Sequence, residues 1–228
     1  MNPDIELLRT AVEHDLGAPA LWPTTVGYPN SLALCIIDAV YVTGARHQGV
    51  EKIIERYRRF RGAQGGDADT DGAVELLASV RDVGGPEQWA SDIGNRRPTS
   101  TSKKAPLRSV AMVALAERLL ALGVGTTEEL RAATADEARA HLVEATWCAV
   151  PGQRSGFTWG YLVMLAQNPD IGVDRTVAAY IARQVGDGSH VGTAELLSAT
   201  AELAGWRSTA LHHALWRFET ARPWDLAG

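Results

Sequence analysis

Apolar residues recur every three to four positions along most of this chain, a spacing that places them on one face of an α-helix. No window alternates apolar and polar residues between hairpin turns, as half-buried strands do. Thr127 is positioned to cap one short helix. The other predicted helices cover residues 5–16, 32–42, 50–60, 75–83, 86–93, 110–122, 136–147, 157–167, 175–185, 194–204 and 208–217. The pattern therefore predicts an all-α protein.

Segment 32–42 differs from the others because it is apolar nearly all round. Helices with this pattern are usually buried in the centre of a bundle. Ser31, directly before it, can cap its first turn, since a serine hydroxyl accepts a hydrogen bond from a free helix N–H. Asp38 interrupts the apolar run, which is far shorter than the ~20 residues of a membrane span. We therefore expect a core helix and no membrane partner.

The composition is that of a soluble globular protein, with 46% of the 228 residues hydrophobic and 21% charged. The net charge is −5, so an anionic partner needs a local basic patch. Two cysteines, Cys35 and Cys148, are too few for a disulfide framework, a four-cysteine zinc site or a four-cysteine iron–sulfur cluster. Acidic residues in the first 16 positions argue against a secretory signal. We expect an intracellular protein with reduced thiols.

Loop 62–72 is rich in glycine and acid, and its residues Asp67, Asp69 and Asp71 resemble the start of a calcium loop. The calcium-binding pattern also needs a glutamate at its twelfth position, where this chain has Ala78. The loop is therefore expected to be solvated. Two histidines near the C-terminus are adjacent and face different sides of a helix, so they cannot bind one ion together. We expect no metal and no cofactor.

The segment 94–108 (GNRRPTSTSKKAPLR) is strongly basic and holds no acidic residue. Four consecutive hydroxyl residues separate its first two arginines from its lysines. Such cations and hydroxyls are the groups that contact phosphates in nucleic-acid complexes. Lys103, Lys104 and Arg108 are therefore candidate phosphate-binding residues, with a solvated loop as the alternative.

A helix–turn–helix segment lies at residues 149–186 (AVPGQRSGFTWGYLVMLAQNPDIGVDRTVAAYIARQVG). A helix ends before Pro151-Gly152, a second helix follows within a few residues, and Val173-Asp174 begins a third. This pattern resembles the helix-hairpin-helix DNA glycosylases of the endonuclease III type, which have a Pro-Gly-x-Gly hairpin and, later, a Val-Asp pair. The separation from Pro151 to Asp174 matches that family without a gap. The Arg-Thr-Val-x-x-x-Ile-x-Arg run that follows is similar to the family's continuation.

The resemblance implies an all-α, two-lobed architecture of the helix-hairpin-helix DNA glycosylase type. The central lobe would span residues 28–168, and residues 1–27 and 169–228 would form the second lobe. The hairpin would bind the backbone phosphates of double-stranded DNA through N–H groups at a helix N-terminus. The DNA-binding residues implied there are Gly152, Gln153, Arg154, Ser155 and Gly156.

Two departures from the family bear on the chemistry. The second hairpin glycine is Arg154 here, and its guanidinium can replace the lost backbone contact. The lysine that attacks the sugar in strand-cleaving members is Gly156 here, so no Schiff-base lyase is expected. The family's aspartate is retained as Asp174. By resemblance, Asp174 is the catalytic residue, which would stabilise the oxocarbenium-like sugar or orient the attacking water; the alternative is a helix N-cap.

A glycosylase must also take the target base out of the stack and hold it against aromatic or apolar side chains. Trp159 and Tyr161 follow the hairpin, and Tyr41 lies at the end of the early apolar helix. These three are candidates for the base pocket or for the wedge that fills the gap in the duplex. The alternative is that all three belong to the core.

The sequence therefore predicts a DNA-binding protein of the base-excision repair type. Its expected activity is that of a monofunctional DNA glycosylase, which hydrolyses the N-glycosidic bond of a damaged or modified base. Two alternatives stay open: a catalytically inactive DNA-binding member of the same fold, and a helical protein-interaction module. The expected partner is double-stranded DNA with one flipped base. The protein is expected to be a monomer in the bacterial cytoplasm, associated with the nucleoid.

Overall fold

A computed structural model describes residues 2–22, 27–43, 47–167, 173, 175–186 and 192–219. These residues form α-helices and a short 3-10 helix at Pro19–Leu21, and the β-type pairing among them is an isolated bridge between Pro98 and Leu107. The prediction of an all-α protein is confirmed. The helices are α1 (Pro3–Leu16), α2 (Leu32–Tyr41), α3 (His47–Ala63), α4 (Ala73–Asp82), α5 (Pro86–Asp92), α6 (Arg108–Ala121), α7 (Thr127–Ala135), α8 (Glu137–Cys148), α9 (Phe157–Leu165), α10 (Arg175–Val185), α11 (Thr193–Ala204) and α12 (Ser208–Glu219).

The chain divides into two compact units, one formed by Tyr28–Ala166 and the other by Met1–Gly27 with Gln167–Gly228. In the first unit, α2 packs against α3, α4, α6 and α9. All the residues of α2 are buried, which confirms the expectation from its all-round apolar pattern. Because burial of apolar side chains is the dominant favourable term in folding, α2 organises the core of this unit. None of the described helices combines the length and the apolar content needed to cross a membrane.

The N-terminus of α2 is held by Ser31 and by the loop 62–72. The Ser31 hydroxyl accepts a hydrogen bond from a first-turn N–H at 3.2 Å, as expected for a cap, and lies 2.7 Å from the Ala68 carbonyl oxygen, to which it donates. The Ala33 N–H, which has no partner within the helix, donates to the carbonyl oxygen of Asp71 at 3.1 Å. The loop therefore supplies the acceptor that this end of α2 needs.

The side chain of Asp71 is buried, so the expectation of a solvated acidic loop is wrong at this position. Its carboxylate accepts hydrogen bonds from the Tyr57 hydroxyl at 2.8 Å and from the Arg61 Nε at 2.6 Å. A carboxylate removed from water needs such partners, because its desolvation is costly. Asp69 stays exposed and forms an ion pair with Arg58 on the surface.

The second unit joins residues from both ends of the chain. Helix α1 packs against α10, α11 and α12. The Tyr180 hydroxyl donates to the Asp15 carboxylate at 2.9 Å. Trp22 meets Trp206 edge to face, with ring centroids 4.9 Å apart. These contacts tie the N-terminal helix to the C-terminal helices within this unit.

Candidate nucleic-acid interface

The segment between α8 and α9, residues 149–156, forms a tight turn that we call the hairpin. Gly152 has φ +90° and Gly156 has φ +69°, a left-handed region that glycine adopts more readily than other residues. The Gln153 N–H donates to the Val150 carbonyl oxygen at 3.1 Å, and the Gly156 N–H donates to the Gln153 carbonyl oxygen at 3.2 Å. The two glycines and these two bonds turn the chain back within a few residues.

The hairpin exposes backbone donors in the turn that precedes α9. In the part of the chain that the structure describes, the N–H groups of Gly152, Arg154 and Ser155 donate no hydrogen bond. All three residues are exposed. Unpaired N–H groups close to a helix N-terminus attract anions, because the positive end of the helix dipole adds to their partial charges. The arrangement is suited to bind a phosphate oxygen.

The side chain of Gln153 has a structural role, which corrects its assignment as a DNA-binding residue. It is only 2% exposed, and its Oε1 accepts a hydrogen bond from the Thr158 hydroxyl. The Thr158 oxygen in turn accepts from Trp147 Nε1 at 2.9 Å. This chain of hydrogen bonds ties the hairpin to both flanking helices, so the Gln153 side chain is not available to a ligand.

Arg154 stands where the helix-hairpin-helix pattern that the sequence resembles has its second glycine. Its side chain is exposed and makes no hydrogen bond or ion pair within the described residues. Because a guanidinium carries several donors and a permanent charge, it can bind a phosphate next to the free N–H groups of the hairpin. The expectation that Arg154 supplies a charged contact there is compatible with this exposure.

Gly156 stands where strand-cleaving relatives of the resembled family have their lysine. Its φ of +69° strains any residue other than glycine, and a Cβ there would lie 3.8 Å from a carboxylate oxygen of Glu144. A lysine at this position is disfavoured by the backbone itself. The local structure therefore gives a physical reason for glycine at position 156.

Residues 94–107, which we call the basic loop, are closed at their base by backbone pairing. The Thr99 N–H donates to the Pro106 carbonyl oxygen at 2.9 Å, next to the bridge between Pro98 and Leu107. Most of the residues between them are exposed, including Lys103 and Lys104. Neither lysine has an ion-pair partner within the described residues. The loop therefore presents two free cations at its tip.

Arg108 is not part of that exposed surface, and its assignment to DNA binding is wrong. It is 7% exposed, and its guanidinium donates to the carbonyl oxygens of Tyr41 (2.9 Å), Thr43 and Pro98 (3.4 Å). Burial lowers the pKa of Arg108 from its ordinary value. Because the last carbonyl groups of a helix lack intrahelical partners and carry partial negative charge, a cation is favourable here. Arg108 fixes the end of α2 to the base of the basic loop.

The hairpin and the basic loop touch each other. A Cβ placed on Gly152 would lie 2.6 Å from the Cβ of Thr99 and 3.3 Å from its carbonyl oxygen. Real Cβ atoms do not approach other atoms this closely, so only glycine fits without movement of the loop. The fold thus brings together the two segments that the sequence separately predicts to bind phosphate.

The three aromatic candidates for a base pocket or wedge are buried. Trp159 is 7% exposed and packs beside Trp147, with ring centroids 6.3 Å apart. Tyr161 and Tyr41 are more deeply buried. The described structure therefore gives none of them an exposed ring face for a base to stack on, and the alternative that they belong to the core describes them better.

Asp174, the predicted catalytic residue, lies outside the described residues, as does residue 168 at the expected lobe boundary. Helix α10 begins at the next residue, Arg175. The role assigned to Asp174 stays a prediction.

Asp38 is a buried acid that the sequence analysis treated only as a break in an apolar run. It is 1% exposed, and its Oδ2 accepts a hydrogen bond from the Tyr28 hydroxyl at 2.9 Å. Within the described residues no arginine or lysine pairs with it. Burial raises the pKa of Asp38 to about 7, while the hydroxyl groups of Tyr28 and Tyr161 oppose the rise. In the sequence, this group could have been found as the single acid inside an otherwise apolar helix.

The described residues hold no group of three or more His, Cys, Asp or Glu side chains that could bind a metal ion. The polar groups that the hairpin and the basic loop expose are backbone donors, cations and hydroxyl groups.

The structure defines an all-α protein in which an exposed hairpin between two helices adjoins a basic loop. The chain belongs to a family described as a domain of unknown function (DUF8548), which matches residues 6–220. No curated protein sequence matches the chain, and no solved structure matches it.

Proposed function

We propose that this protein binds double-stranded DNA through the hairpin and removes a damaged or modified base. The observation that supports the binding step is the group of unpaired N–H donors at Gly152, Arg154 and Ser155, in the turn that precedes α9. Contacts of this kind hold a phosphate and carry no sequence information. They suit a protein that inspects DNA of any sequence for a chemical lesion.

The proposed chemistry is hydrolysis of the N-glycosidic bond with water as the nucleophile. Departure of the base leaves positive charge on the sugar, and the carboxylate of Asp174 would stabilise that charge or orient the attacking water. The water oxygen forms the new bond to the sugar carbon and loses a proton, while the base leaves with the electrons of the old bond and takes up a proton. Gly156 has no amine to form a Schiff base with the sugar, so the product is an intact strand with an abasic site.

Formation of abasic sites on a panel of lesion-containing duplexes tests the proposal, with Asp174→Asn as the variant. Asparagine caps helices about as well as aspartate does, so the variant keeps the structural role that is the alternative for Asp174. We expect the wild type to produce abasic sites on at least one lesion, and the variant to bind that duplex while its rate falls at least 100-fold.

Asp136→Asn is the matched control, because Asp136 caps α8 by accepting a hydrogen bond from the Arg139 N–H at 2.8 Å. The control should keep the wild-type rate. An Asp174→Asn protein as active as the wild type on every lesion is the outcome that defeats the proposed chemistry.

A non-enzymatic DNA-binding protein is the second candidate, and the burial of Trp159, Tyr161 and Tyr41 favours it. A site that holds a flipped base needs an exposed aromatic or apolar face. This candidate predicts duplex binding without abasic sites, and affinity that Asp174→Asn leaves unchanged. The absence of any duplex binding at low salt would instead favour a helical protein-interaction module.

A further inference from the structure

The tip of the basic loop carries two charges that nothing in the described structure neutralises. Lys103 and Lys104 are exposed at its tip and have no partner within the described residues. The loop has no acidic residue, in a chain whose net charge is −5. A concentration of cations against an acidic average indicates a surface that meets an anionic polymer.

The loop is also held firmly at its base. The guanidinium of Arg108 connects the carbonyl oxygen of Pro98 to the end of α2, and the bridge from Pro98 to Leu107 closes the loop. Contact between Thr99 and Gly152 fixes one side of the loop against the hairpin. A loop anchored in this way loses less conformational freedom on binding than a free one.

We propose that the basic loop is a second phosphate-binding element, which contacts the backbone of the same DNA duplex that the hairpin holds. Lys103 and Lys104 supply the charge, and the hydroxyl groups of Ser100, Thr101 and Ser102 supply further donors. Contact between Thr99 and Gly152 sets the distance between the two elements. The inference rests on the proposed DNA binding, and it assigns phosphate binding to the surface next to the hairpin in the same unit.

Charge complementarity favours a nucleic-acid backbone over an acidic protein surface as the occupant. The loop tip combines two lysines with a run of hydroxyl groups and has no large apolar side chain. Contacts with phosphates are made by such groups, whereas protein interfaces are enriched in aromatic residues and methionine.

The dependence of duplex affinity on salt concentration tests the inference, because each neutralised phosphate contributes about −0.9 to the slope of log K against log salt. The variant is the double substitution K103Q/K104Q, which keeps side-chain length and removes two charges. We expect the slope to become less steep by up to about 2, with roughly tenfold or more loss of affinity near 0.1 M salt.

The matched control is R118A/R139A, which also removes two exposed charges. Arg118 lies in the last turn of α6, and the Arg139 guanidinium contacts the Leu122 carbonyl oxygen. Both are therefore towards the end of α6 opposite the loop, about 15–20 Å along the helix from Arg108. The control should leave the slope within about 0.5 of the wild type.

Two results overturn the inference, and they can be told apart. If the wild type binds the duplex and K103Q/K104Q keeps its affinity and slope, the loop has no phosphate contact while the hairpin proposal survives. If the wild type does not bind the duplex at low salt, both proposals fail. Weaker binding of polyglutamate by K103Q/K104Q, with duplex affinity unchanged, would assign the loop to an acidic protein instead.

Discussion

Thr99 of the basic loop packs directly against Gly152 of the hairpin, so closely that position 152 has no room for a Cβ atom. The two residues are far apart in the chain and belong to segments that the sequence marks for different reasons. Their contact joins the basic loop and the hairpin into one continuous surface. The position of this side of the loop therefore depends on the absence of a side chain at residue 152.

Gly152→Ala should weaken duplex binding as well as lower stability. The added methyl group meets Thr99 at 2.6 Å and must displace the loop, and the positive φ adds strain of about 1–2 kcal/mol. Gly65→Ala is the control, because Gly65 also has a positive φ but no atom within 4 Å of its Cβ position. Urea unfolding and duplex titration of both variants should show a stability loss in each and an affinity loss in Gly152→Ala alone. Equal affinities would remove the link between the glycine and the loop.

Arg154→Ala should reduce duplex affinity without reducing stability. Its side chain is exposed and has no partner within the described residues, so its removal costs no intramolecular contact. One lost phosphate contact makes the slope of log K against log salt less steep by about 1. Fluorescence anisotropy over a salt series measures this, with Arg118→Ala as the control. An unchanged slope would exclude Arg154 from the interface.

Arg108→Met should lower the free energy of unfolding by about 2–4 kcal/mol, because three carbonyl oxygens lose a charged donor. The exposed Arg118→Met should change stability by no more than about 0.5 kcal/mol. Urea denaturation of the two variants without DNA checks the structural role. Wild-type stability in Arg108→Met would show that the buried guanidinium is dispensable to the fold.

Asp38 should make the protein less stable as the pH rises. Burial raises the pKa of this carboxyl from 3.8 to about 7, so the folded protein favours the protonated acid. The contribution is fully present below pH 3.8 and is lost as the pH rises through 7, at up to about 1.4 kcal/mol per pH unit. Asp38→Asn has no such titration. Between pH 5 and pH 8, the unfolding free energy of the wild type should therefore fall relative to that of Asp38→Asn. A difference between the two proteins that stays constant with pH would contradict a raised pKa.

The sequence was sufficient to predict the helices but not to predict the role of each charged residue. Periodicity located each helix for which it gave bounds within three residues of its observed ends, and the all-round apolar pattern of 32–42 identified the buried helix α2. Helix α7 was predicted only through a cap at Thr127, and its cap is the preceding residue, Thr126. These are local signals. The burial of Arg108 and Asp71 is not local, because each depends on partners that tertiary packing brings near.

The candidate site shows the same limit. The hairpin was predictable because the residues that form a Pro-Gly turn and begin the next helix are neighbours in the sequence. The contact between Thr99 and Gly152 was not predictable, because the space around a glycine is restricted here by a segment that is distant in the sequence. Gln153 was assigned to the interface by its place in the turn, and its inward orientation depends on Thr158.

The most direct test of DNA binding at the hairpin is a titration of the ¹⁵N-labelled protein with a short duplex, followed by amide chemical shifts. If the hairpin binds the duplex, the amide signals of Gly152, Arg154 and Ser155 move first and saturate, while that of Gly65 stays in place. Signals that move elsewhere, with the three hairpin amides unchanged at saturation, would contradict it.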